Sequence, residues 1–167
     1  MPVRFTAFAL AACALAALTS ARAAELSADC KPVLAAMERS IQANHTTTTT
    51  RGAEILHGVT VDGAVYLQVN GAWRKSGISA KDNIDMSRSN LKDAQEYSCK
   101  ALSDSVVDGT PAANYSTHTV NDDAVIDTRI AIAKGTGLAI SVVTRRPGDP
   151  AGDVVTRYAY GSVKAPI

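Results

Sequence analysis

Two dipeptides constrain this chain more than any other feature. Asp62-Gly63 and Asn70-Gly71 each separate strand-like runs: Val59-Thr60-Val61, Ala64-Val65-Tyr66-Leu67-Gln68-Val69 and Ala72-Trp73-Arg74-Lys75. Asp-Gly and Asn-Gly readily take the positive φ angles of two-residue type I′ turns, so the segment predicts a three-stranded antiparallel meander. Val65, Leu67 and Val69 alternate with Tyr66 and Gln68, which gives the middle strand one face suited to burial.

On either side of the meander the pattern changes. Leu26, Cys30, Val33, Leu34, Met37 and Ile41 recur at helical spacing and predict an amphipathic helix. Ser27 and Asp29 are candidate N-caps, and Pro32 is tolerated in the first turn. Thr46 to Thr50 is an unbroken β-branched run that disfavours helix and suits an extended edge. Residues 80–97 are polar, with Ile84, Leu91, Ala94 and Tyr97 as sparse apolar positions, and read as short helices or a crossing loop capped near Asp82. From Cys99 onward, segments near 99–107, 111–120, 124–134, 138–146 and 154–163 are again strand-like. They are punctuated by Asp108-Gly109, Asn121-Asp122, Gly135-Thr136-Gly137 and the loop 147–152. Successive strands without long crossovers pair antiparallel. The expected fold class is therefore α+β: a strongly curved antiparallel sheet, an unclosed half-barrel of seven to eight strands, with the N-terminal helix and the helical insert on its concave face.

The first 23 residues read as an export signal. Arg4 supplies the positive start, Phe5 to Leu18 the apolar run, and Ala21-Arg22-Ala23 the small-x-small cleavage pattern. An apolar run of about 14 residues is shorter than the roughly 20 that a spanning helix requires, so an integral membrane protein is not expected. Leu10-Ala11-Ala12-Cys13 resembles a lipobox, but the apolar run continues past Cys13, which disfavours lipid anchoring there. Cleavage after Ala23 leaves residues 24–167 as one domain, located in the periplasm or secreted.

The charge balance is informative by its smallness. Loss of Arg4 and Arg22 with the signal leaves 15 basic residues against 16 acidic ones, without the basic clustering that nucleic-acid binders show. Two cysteines remain, Cys30 and Cys99, and an even count in an exported chain predicts a disulfide. It would close a 69-residue loop.

No catalytic motif emerges, and the chain is read as non-enzymatic. His45, His57 and His118 lie on separate expected elements with no H-E-x-x-H and no Cys/His cluster, so no metal is expected. Gly77-Ile78-Ser79-Ala80-Lys81 lacks the final glycine of a nucleophile elbow. Gly135-Thr136-Gly137 lacks the lysine and helix of a phosphate loop, and no cofactor is expected. Asp122-Asp123, Asp82/Asp85 and Asp93/Glu96 read as turns and charged helix faces, and Arg145-Arg146 as a strand end. The bulky side chains Met37, Tyr66, Trp73, Tyr115, Tyr158 and Tyr160 are the candidates for lining a cavity between helix and sheet.

The order of features resembles a known group. An exported chain has an amphipathic helix, then Val65-Tyr66-Leu67-Gln68-Val69-Asn70-Gly71-Ala72-Trp73 and a helical insert. Cys99-Lys100-Ala101-Leu102, Val107-Asp108-Gly109-Thr110-Pro111-Ala112, Tyr115-Ser116, Gly137-Leu138 and Tyr158-x-Tyr160 follow. This resembles small bacterial periplasmic proteins of the lipoprotein-carrier (LolA/LolB-like) superfamily. The resemblance implies a bent, unclosed sheet wrapped round helices, with a cavity that in the carriers receives acyl chains. The chain departs from the carriers in being shorter and in having no phenylalanine after the signal. The expected function is binding of a small apolar or amphipathic, lipid-like ligand. The alternatives are a structural or protein-interaction module using exposed edges such as Thr46–Thr50, and an enzyme on a cone-shaped α+β fold.

Overall fold

The computed structural model describes residues 27–122 and 124–167. The export segment with Cys13, Leu26 at the head of the apolar stripe, and Asp123 lie outside the described residues. In chain order the elements are α1 (Cys30–Gln42), β1 (His45–Arg51), β2 (Glu54–Val61), β3 (Ala64–Val69), β4 (Ala72–Lys75), α2 (Ala80–Asp93), β5 (Glu96–Val107), β6 (Thr110–Asn121), β7 (Ala124–Ala133), β8 (Ala139–Arg145) and β9 (Val154–Tyr160).

All nine strands form one antiparallel sheet in the order β4-β3-β2-β1-β9-β8-β7-β6-β5, not closed into a barrel. The predicted turns are of the expected kind: Asp62, Asn70 and Asp108 have φ near 50°, and the glycine that follows each lies near 80°. The sheet exceeds the expected seven to eight strands by the threonine run. That run is also not an edge. β1 pairs along its whole length with β2 on one side and with β9 on the other, from His45–Tyr160 to Arg51–Val154. The edges are β4 and β5. β1 thus joins two meanders, β1–β4 and β5–β9, into one surface.

The helix α2 links β4 at one edge to β5 at the other and packs on α1 on the way. α2 opens with a capping box, in which the Ser79 hydroxyl accepts from the Asp82 amide and the Asp82 carboxylate accepts from the Ser79 amide. Arg88 holds it to α1 through a two-pronged ion pair with Glu38 at 2.7 and 2.9 Å.

The helix α1 lies on the inner face, and small residues decide how it sits. Its most buried side chains are Cys30, Val33, Ala36 and Ser40. Leu34, Met37 and Ile41 of the predicted stripe are only half-buried. Val33 and Ala36 pack on Ile130, Ile132 and Ala139, with Met37, Tyr115 and Val142 at the margin. Ala36 and Ala139 bring helix and strand backbones close, and Ser40 then bridges them. Its hydroxyl donates to Ala36 O (2.7 Å) and accepts from the Ala139 amide (2.8 Å), so this buried polar group is satisfied. Asp29 does not cap the helix; its carboxylate accepts from Ala101 N on the free side of β5.

The expected disulfide is present, Cys30 to Cys99 with Cα atoms 5.1 Å apart. It pins the first turn of α1 to the edge strand β5. Closing a loop of this length contributes about 4 kcal/mol in the chain-entropy account. The double variant Cys30→Ser/Cys99→Ser is expected to lose about 3–4 kcal/mol, read as a lower urea midpoint. An unchanged midpoint would mean that packing alone holds α1.

One glycine is set by close approach. A Cβ on Gly58 would lie 2.4 Å from Thr47 Oγ1 across β1 and β2. Gly58→Ala is expected to cost about 1–3 kcal/mol through overpacking, and Thr47→Ala in the same chain should recover most of that loss in thermal melts.

Candidate functional site

Strand alternation assigns every side chain to a face. Tyr115, Ile130, Val142 and Thr156 share one rung of the inner face with Thr49 and Leu56. The rung beyond it carries Thr117, Thr128, Thr144, Val154, Arg51 and Glu54. α1 crosses this surface from Cys99 on β5 to Ala139 at the start of β8. The rim around Thr144, Val154, Arg51 and Leu56 lies beyond the strip it packs on.

The predicted lining residues do not all assemble. Met37 and Tyr115 flank the packed cluster beneath α1. Tyr158 and Tyr160 stand on the inner face with near-parallel rings 6.3 Å apart, and His45 tilts against both at 5.4 and 5.7 Å. Tyr66 and Trp73 belong to the outer face: Tyr66 is paired with Val59 and Trp73 with Gln68, whereas Leu67 sits over Gly58 and Thr47. Directly beneath α1 the interior is filled by Ile130, Ile132 and Ala139.

On the inner face the open space lies at the rim, and aromatic content gave no hint of it. The β2–β3 ladder stops at Gly58–Leu67, so Glu54–His57 and Gln68–Asn70 diverge. Between them is a groove of about 510 Å³ whose walls include Thr49, Leu56, Val69 and Val154. Leu56 and Val69 are 40 % and 42 % exposed there. A second hollow of about 260 Å³ adjoins it, with Thr144, Arg146 and Asp149, and the two share Arg51 and Val154.

Electrostatics distinguish the two faces. Burial pushes the His45 imidazole below its ordinary pKa, while the hydrogen bond its Nδ1–H donates to Ala43 O at 2.7 Å opposes that shift. The Tyr160 phenol is pushed up to about 12, mainly by burial, and donates to Ala139 O at 2.6 Å. On the outer face, register places His118, Asp127, Arg145 and Asp153 along one row. His118 Nδ1 pairs with Asp127 at 2.7 Å, and Arg145 grips Asp153 at 2.8 and 3.0 Å. The hydrogen bond to Asp127 raises the His118 pKa. Adjacent residues Arg145 and Arg146 therefore serve different places, one in this outer row and the other at the inner rim. Among the described residues, no three His, Cys, Asp or Glu side chains gather as a metal would require. No described helix is long and apolar enough to cross a membrane.

These features define a class: an α+β protein whose bent, unclosed antiparallel sheet carries its helices on the inner face. No protein-family model matches the sequence, and no curated protein sequence does. Solved structures do align. MucB is 19 % identical, with a TM-score of 0.50 over 84 % of this chain and 62 % of the MucB chain. The lipoprotein LppX of Mycobacterium tuberculosis is 11 % identical, with a TM-score of 0.45 over 79 % of this chain and 92 % of its own. A putative outer membrane lipoprotein-sorting protein domain from Vibrio parahaemolyticus is 7 % identical, with a TM-score of 0.34 over 77 % and 89 %. The likeness is one of fold. This chain spans about three-fifths of the MucB chain.

The two histidines affect stability in opposite senses. His45, with a lowered pKa, contributes stability above about pH 6.5 that is lost as pH falls through its folded value. His118, with a raised pKa, contributes stability below about pH 6.5 that is lost as pH rises through its folded value. In melts, the advantage of the parent chain over His45→Phe should therefore shrink towards acid, and its advantage over His118→Gln should shrink towards alkali.

Proposed function

We propose that this chain is an exported, non-catalytic binding protein whose half-barrel takes a small apolar or amphipathic, lipid-like molecule. In this reading the signal at residues 1–23 is removed after Ala23, Cys13 is not lipidated, and residues 24–167 work as one domain in the periplasm or outside the cell. A disulfide suits that oxidising destination. The observation that carries the reading is the groove at the inner rim. It is a concave space of about 510 Å³ that leaves Leu56 and Val69 half in water, and its size lies within the range of small-molecule sites. Met37, Tyr115, Tyr158 and Tyr160 are the bulky residues on the inner side that a tail would meet if it ran on beneath α1.

A second reading, a protein-interaction module, is favoured by a different strand from the one first expected. β1 is internal, but β5 is a 12-residue edge with Val106 68 % exposed.

Native mass spectrometry of the exported protein from its own host, paired with fluorescent fatty-acid titration, tests the first reading. A lipid adduct and saturable uptake are expected, and Leu56→Asp should weaken uptake about tenfold or more through loss of an apolar contact. Absence of both adduct and uptake would sink it. Recovery of a protein cross-linked through a photoreactive residue at position 106 would then favour the second.

A further inference from the structure

We propose that the ligand of this groove is an anionic amphiphile, with Arg51 and Arg146 receiving a carboxylate or phosphate head while Leu56, Val69 and Val154 hold its tail. The inference deepens the lipid-binding reading and rests on it.

The geometry is that of two compartments meeting at one rung. Arg51 on β1 and Val154 on β9 are cross-strand partners, and both belong to each hollow. On one side lies the apolar groove of about 510 Å³; on the other is the polar hollow of about 260 Å³ with Thr144, Arg146 and Asp149. A ligand laid across Val154 would have an apolar end among Leu56 and Val69 and a polar end between two guanidiniums.

Charge decides the sign of that polar end. Asp149 is the one carboxylate in the polar hollow, and it is already engaged. Its Oδ2 accepts from Arg51 at 2.6 Å and its Oδ1 from the Ala151 amide at 2.9 Å. The Ala151 amide and the nearby Arg51 and Arg146 hold it below the usual carboxylate range. Two guanidiniums facing one carboxylate leave a positive charge over, on side chains whose planar donor forks suit carboxylate and phosphate. Arg145, the neighbour of Arg146, is committed to Asp153 on the outer face and competes for nothing here. Glu54 lies across the hairpin from Arg51 on the wall of the apolar groove. It bars an anionic head from that end, and so orients the ligand with its head towards Arg146.

Competition titrations on the exported protein with palmitate, methyl palmitate and inorganic phosphate test this. Palmitate is expected to bind about tenfold or more tightly than its ester, since a charged hydrogen bond is lost in the ester. Arg146→Gln, an exposed position, should erase most of that preference by lowering palmitate affinity far more than ester affinity. Arg51→Gln should do the same, with its melting curve checked because Asp149 loses its partner. Equal affinity for acid and ester, or a preference that survives Arg146→Gln, overturns the proposal and leaves lipid binding standing. Displacement of palmitate by phosphate at equal concentration also overturns it, since the site would then take a free anion and not an amphiphile. If neither acid nor ester binds, the lipid-binding reading itself fails and takes this inference with it.

Discussion

The pairing of β1 with β9 is the interaction on which the architecture depends. Seven residue pairs join strands more than 100 positions apart, and without them the chain would hold two separate meanders. Contacts of this sequence separation are costly in loop entropy and are rewarded only when both partners are formed. Threonine suits such a seam. Its branched side chain fits a pleated surface, while its hydroxyl satisfies itself locally: Thr49 and Thr156 hydroxyls meet at 3.0 Å across the seam. The same pairing places Arg51 beside Val154 and so creates the rung where the apolar and cationic hollows meet.

Much of the fold was legible because its signals are local. The Asp-Gly and Asn-Gly turns, a helical insert near Asp82, and the cysteine pair each declare themselves within a few residues or by simple count. The threonine run did not. A uniform β-branched stretch marks a strand but carries no record of its neighbours, and the partner of β1 arrives only at Val154. The buried side of α1 was misjudged for another reason. Hydrophobicity favours Leu34, Met37 and Ile41, whereas close approach of helix to sheet favours Ala36 and Ser40.

The candidate site was less legible, and parity explains why. Val65, Leu67 and Val69 alternate with Tyr66 and Gln68, so an inner Leu67 puts Tyr66 on the opposite face, where it is buried, and Trp73 with it. Tyr158 and Tyr160, two positions apart on β9, share the inner face. The rim groove arises from a ladder that ends early, and the outer charged row from register across three strands with Asp153 just before β9. Neither leaves a mark on a linear string of residues. The contrast between His45 and His118 has the same origin: one stands on the dry side of the sheet and the other in water.

The route of α2 has a topological consequence. The chain leaves the sheet at one border, β4, and re-enters at the opposite border, β5, so the polypeptide is continuous across the gap that the strands leave open. Severing it near Gly77 would yield two fragments, each a complete meander, still coupled at the centre by β1 with β9 and tethered through Cys30 and Cys99. The molecule is wired as a split protein whose halves are already stitched together, and the helical strap governs how far they can splay.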